Sequence, residues 1–227
     1  MKSKFLAAMA TVLLLAGVAK GQLQTNVILS SVNLGIPDGN PVGLASSTTL
    51  SGLGNYVTSI SVQLDITGGF NGDLYVYLAG PAGGFTVLLN RVGLTASNPF
   101  GYSDTGFNIT LSDSGTANIH TYQLSGPSYS SGQLTGTWVP DGRNIDPLHS
   151  SGAAFDSAST SANLMNAFFA SDPNGAWTLY AADLSSGSQA TLVSWGLTVV
   201  TVPEPQTWLL LAGGVGALLV VNRNRKR

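Results

Sequence analysis

Residues 56–66 read YVTSISVQLDI, so that Ile60, Val62, Leu64 and Ile66 fall on one side of an extended chain and Ser59, Ser61, Gln63 and Asp65 on the other. A period of two sends one row into a core and the other into water, which is the mark of a half-buried strand. The pattern returns in DLYVYLA (Leu74, Val76, Leu78), FNITL (Phe107, Ile109, Leu111), WTLYAAD (Trp177, Leu179, Ala181) and TLVSWGLTVV (Val193, Trp195, Leu197, Val199), with FTVLL as a shorter buried strand. Turn-forming stretches separate them: GGFNGD, GPAGG, SDPNG and SSGSQ. Residues 158–170 (ASTSANLMNAFFA) alone have a helix-compatible composition. The chain is therefore expected to be all-β, an antiparallel sandwich or barrel around one core, with helix as a minor part. No fixed period repeats, which argues against a solenoid or propeller.

The two ends differ from the middle. Lys2 and Lys4 precede FLAAMATVLLLAGVA, and small residues follow, as in a secretory signal peptide cleaved after Ala19 or Gly21. Seven of the nine Lys and Arg residues lie in the first 20 and last five positions, leaving Arg91 and Arg143 against ten aspartates between them, about −8. Such a body is repelled by nucleic acid, which is excluded as a partner. With no cysteine there is no disulfide framework, thiol chemistry or Cys-based metal site. The organisation expected is a signal peptide over residues 1–21, a β-sandwich over 22–201 and a C-terminal segment over 202–227.

Two stretches go beyond composition: GDLYVYLAGPAG, with Gly72, Asp73, Leu74 and Pro81, and NGAWTLYAADLSSGSQATLVSWGLTV, with Asn174, Gly175, Trp177, Leu179, Asp183 and Trp195. With IPDGN at 36–40 and WVPDG at 138–142, they resemble the P domain (P/Homo B domain) of proprotein convertases and bacterial secreted proteins. Gly80 stands where that family has Ser, and Ala190 where it has Gly. The resemblance implies a jelly-roll sandwich of galactose-binding-like architecture. Trp177 and Trp195 share the inward parity of their strands and read as paired core aromatics. Asp73 and Asp183, at strand edges, read as turn-stabilising carboxylates, with metal ligation as the alternative.

Catalysis is not expected. In the convertases this domain accompanies a subtilisin-like catalytic domain, for which the chain has no room. The two histidines, His120 and His149, lie in polar, loop-like surroundings, and neither a Gly-x-Ser-x-Gly elbow nor a His-Glu-x-x-His motif occurs. No cofactor is expected. Calcium is the one open cofactor question, with DGRNID at 141–146 and SDTGFN at 103–108 as the nearest candidate loops, although no Asp-x-Asp-x-Asp-Gly loop exists. Added calcium is expected to leave the melting temperature little changed. Tyr75, Tyr77 and Tyr129 are candidate exposed aromatics for carbohydrate.

The chain closes on Pro203, Glu204 and Pro205, an apolar run over 208–221 and a tail with Arg223, Arg225, Lys226 and Arg227. Fourteen helical residues would span about 21 Å, short of the ~30 Å hydrocarbon core. The prolines disfavour helix just before the run, and the basic tail stays cytoplasmic by the positive-inside bias. This order resembles the PEP-CTERM sorting signal of Gram-negative bacteria. The resemblance implies export, transient inner-membrane insertion through a short C-terminal helix, recognition by an exosortase-like enzyme and association with exopolysaccharide at the cell surface or extracellular matrix. The function expected is non-enzymatic binding or scaffolding. The alternative is an accessory module for a separate subtilisin-like protease.

Overall fold

A computed structural model describes residues 23–160 and 163–202, together with Gly214 and Arg223. The expected signal peptide, the Pro203-Glu204-Pro205 motif and the apolar run at 208–221 lie outside these residues, Gly214 excepted. Among the described residues no helix is long and apolar enough to cross a membrane.

The chain forms two sheets. One has six strands in the order β1 (Gln24–Gly35), β10 (Ala190–Val202), β3 (Tyr56–Gly68), β6 (Phe107–Ser112), β8 (Gln133–Trp138) and β7 (Ser128–Ser130). The other has four, in the order β2 (Asn40–Leu50), β9 (Gly175–Asp183), β4 (Leu74–Ala79) and β5 (Phe85–Asn90). Their inner faces close over one core that takes in Val62, Leu64, Val76, Leu78, Trp177 and Trp195. Pairing is antiparallel except between β6 and β8, which run parallel. That departs from the all-antiparallel expectation. Residues 113–132, including a 3-10 segment at Ile119–Ser125, carry the chain back so that β8 enters in the direction of β6.

The inward rows of β3, β4, β6 and β9 are those the alternation predicts. In β10 the row begins at Leu192 instead of Val193. Leu192 pairs with Ile66 and Ser194 with Asp65, so Val193 is the extra residue of a bulge and turns outward. Among the described residues of 158–170 helix is realised in α2 (Leu164–Phe168), while α1 (Gly152–Ser157) lies upstream of that stretch. Both start on side-chain caps, Ser151 for α1 and Asn163 for α2, and the Asp113 carboxylate also accepts from the free N–H groups of Leu164 and Met165. What holds these short helices is the buried Phe155 and Phe168 side chains.

Trp177 and Trp195 are both buried, at 0% and 1% exposure, but they belong to different sheets. Trp177 packs its ring on Phe168, 4.9 Å between centroids, and donates from Nε1 to the Pro173 carbonyl. Trp195 donates to Ser46 Oγ at 2.9 Å across the core. Replacing Trp195 by Phe, which drops the donor and leaves part of the indole's space empty, is expected to cost about 2–4 kcal/mol by chemical denaturation.

Candidate functional site

The two motif stretches meet as neighbours. β4 and β9 pair antiparallel from Leu74 opposite Asp183 to Ala79 opposite Thr178. Gly72 and Asp73 therefore lie beside Asp183 at one end of the sheet, and Pro81 lies beside Gly175 and Asn174 at the other.

The Pro81 end is a packing device. A Cβ on Gly175, whose φ is +130°, would sit 2.6 Å from Pro81 Cβ. A Cβ on Gly80 would meet Phe168 and Trp177 ring carbons at 2.9 and 3.1 Å, which accounts for glycine where the resembling family has serine. The Asn174 side chain accepts from Leu53 N–H and donates to the Leu53 carbonyl, pinning the loop after β2.

The Asp73 end opens into a cleft of about 670 Å³ lined by Gly39, Phe70, Asp73, Phe100, Tyr102 and Ser185. Its walls are loops tied to strand ends. Gly72 N–H donates to the Tyr102 carbonyl, Leu184 N–H to the Asp73 carbonyl, and Gly187 N–H to both oxygens of Asp38. The IPDG turn is anchored by the fully buried Ile36, whose N–H donates to Ala190. Phe70 and Phe100 are 40% and 80% exposed on the rim.

Of the three motif aspartates, Asp73 lines the cleft, Asp38 and Asp183 lie beside it, and Arg91 acts on Asp73. The Arg91 guanidinium donates to the Gly72 carbonyl and to Ser185 Oγ. Burial pushes Asp183 up to about 6, opposed by the Ser185 N–H and reinforced by the carboxylates of Asp73 and Asp38. Burial also raises Asp73, opposed by a hydrogen bond to Ser185 and by Arg91. Asp183 is 0% exposed, and its Oδ2 has no hydrogen-bond partner. An unpaired, buried carboxylate oxygen among like charges is costly, and such arrangements concentrate at functional sites. Among the described residues no group of three His, Asp or Glu side chains is placed to hold a metal ion. A concave, aromatic-rimmed and acidic surface can bind.

The histidines lie elsewhere. His120 is not in a polar loop as expected but buried at 1% exposure, its Nδ1 2.7 Å from Asp141 Oδ2 and its Nε2 3.0 Å from the Leu94 carbonyl oxygen, with the ring stacked on Phe155. With both nitrogens occupied, it is a structural group. His149 is exposed and pairs with Asp146 at 2.8 Å. The candidate calcium loops spend their carboxylates on protein donors. Asp141 takes His120, Arg143 and the Asn90 N–H, whereas Asp104 takes the hydroxyls of Tyr122 and Tyr129 and the Gln123 amide.

Tyr75 and Tyr77 share the outer face of the four-stranded sheet, where Tyr77 stacks on Tyr180 at 4.7 Å and meets Phe85 at 4.8 Å. Tyr129 does not join them: it lies on β7 of the other sheet, bonded to Asp104. Phe70, Phe100 and Tyr102 carry no periodic signal in the sequence, and the cleft they help to line was not legible there.

No family model matches the chain, and no curated protein matches it. Solved structures that it resembles include the serine protease of Aeromonas sobria in complex with its chaperone, at 16% identity and a TM-score of 0.47, over 85% of this chain and 29% of that one. The same protease in a second structure gives 16% identity and a TM-score of 0.44, over 82% of this chain and 28% of that one. This chain thus spans less than a third of either structure's length.

Proposed function

We propose that this is an exported, non-enzymatic surface or matrix protein that displays a P-domain-like jelly-roll sandwich as a binding module, associated with exopolysaccharide. Its residues 202–227 act as a sorting signal that enters the inner membrane and is processed by an exosortase-like enzyme at or near Pro203-Glu204-Pro205. The observation that supports display is the polarity of β10. Its first residue, Ala190, adjoins Ile36 and Gly68 beside the cleft, while its last, Val202, leads towards the apolar run. Thirteen strand residues place those ends about 40 Å apart. The cleft thus faces away from the point of attachment.

The in-register pairing of the two motif stretches supports the P-domain-like reading, and with it a second function: an accessory module for a separate subtilisin-like protease. Isolation from the surface of the native host separates the two. Polysaccharide retained by the protein, and lost on Phe100→Ala, supports the first reading. Recovery of a subtilisin-like partner without polysaccharide replaces it by the second. The intact mass of the isolated protein tests sorting: a C-terminus near residues 203–205 supports it, and retention of Arg227 removes it.

A further inference from the structure

At the end opposite the cleft the backbone of three strands comes together. Gln24 of β1 lies across from Thr201, and Val202 across from Tyr56 of β3. Gln24 bonds the loop after β2 through Gly52 and Gly54, and the turn after α2 joins at the same level, Ala170 N–H donating to the Val57 carbonyl and Val57 N–H to Ser171. Leu23, Tyr56 and Phe169 flank this row of backbone and are 61%, 50% and 64% exposed.

Charge divides between the two ends. Residues 23–26, 50–58, 168–175 and 200–202, which build this end, contain one charged residue, Asp172. The cleft end holds Asp38, Asp73, Asp104 and Asp183, with Arg91 acting on Asp73. The sandwich is thus nearly uncharged where the chain leaves it, with Leu23, Tyr56 and Phe169 exposed there, and acidic at the far end.

Five residues, 203–207, separate the end of β10 from the apolar run that starts at Trp208. Fully extended they reach about 17 Å. With the run in a bilayer, the apolar end is held within that distance of the lipid, and aromatic and aliphatic side chains partition favourably into the interface. We propose that the Leu23, Tyr56 and Phe169 end is a lipid-docking face, which seats the unprocessed protein upright on the membrane and holds its acidic cleft several screening lengths from anionic headgroups. The inference rests on the reading of residues 208–221 as membrane-inserted, and it adds a second contact between the protein and the bilayer.

Because the chain has no cysteine, single-cysteine variants label at one place. Tyr56→Cys, Phe169→Cys and, as the far-end control, Phe100→Cys are each coupled to an environment-sensitive NBD fluorophore. The full chain is then reconstituted in vesicles of phosphatidylethanolamine and phosphatidylglycerol. All three sites are exposed, so the core is left intact. The expected result is blue-shifted emission and protection from aqueous iodide at positions 56 and 169, with water-like emission and full quenching at 100. Equal quenching at all three, with the chain retained by the vesicles through an alkaline wash, overturns lipid docking and leaves the insertion reading standing. Loss of the chain in that wash overturns both. Protection at 56 and 169 in native membranes but not in lipid vesicles assigns the face to a protein partner and also overturns the inference.

Discussion

Replacing Asp141 by Ala is expected to destabilise the protein by about 3–5 kcal/mol, the cost of breaking a buried ion pair by removing one partner. Asp141 is 0% exposed and receives His120 Nδ1 at 2.7 Å, Arg143 Nη1 at 3.0 Å and the Asn90 N–H at 3.1 Å. The substitution leaves a buried guanidinium and a buried imidazole without their carboxylate. It also loosens a clasp, because the Asp141 and Gly142 N–H groups donate to the Leu88 and Val87 carbonyls and so cover the free edge of β5. For a chain of this size the melting temperature should fall by roughly 10 °C or more. Asp146→Ala, at an exposed pair, should leave the melting temperature close to that of the unaltered protein. Equal melting temperatures for the two variants would remove the structural role assigned to Asp141.

That cluster also marks where sequence reasoning reaches its limit. The rows Ile60, Val62, Leu64, Ile66 and Trp177, Leu179, Ala181 were legible because a strand's two faces write themselves into a period of two, and all seven residues are buried. The pattern fails where geometry breaks the period, as at Val193, or where inward positions are polar. In β2, Ser46 points inward because it accepts the Trp195 indole N–H, and no apolar alternation announces the strand. In β1, Val27 and Leu29 face out while Asn26 and Ser30 are half-buried, so that strand too lacked a one-sided row. His120 sits among loop-like residues in sequence, and only a partner 21 positions away explains its burial. The cleft was half legible. Asp73 and Asp183 stood out through the resembling motifs, but their adjacency follows from β4 and β9 pairing over more than 100 positions, and the aromatic rim comes from loops without periodicity.

Asp183→Asn should raise stability at pH 8 and leave it nearly unchanged at pH 4. In the folded protein this carboxyl titrates at about 6 against an ordinary value of 3.8, so between those values the folded state holds a proton that the unfolded chain has released. Stability from this group is therefore greatest below pH 4, falls as pH rises through that window, and carries the full penalty above pH 6. The penalty is on the order of 2 kcal/mol, and Asp73, raised for the same reason, adds to it in the same direction. The amide removes a buried charge that lies near the carboxylates of Asp73 and Asp38, so the variant should melt several degrees higher at pH 8. It should also show a shallower pH dependence between 4 and 6. A lower melting point at pH 8, or an unchanged slope, would contradict the assignment of Asp183 as a carboxyl raised by burial. A ligand carrying positive charge into the cleft would oppose that shift by favouring the Asp183 carboxylate, and its binding should strengthen as pH rises through 6. The wild-type slope and its loss in the variant are thus the readouts that connect the burial of Asp183 to what the cleft binds.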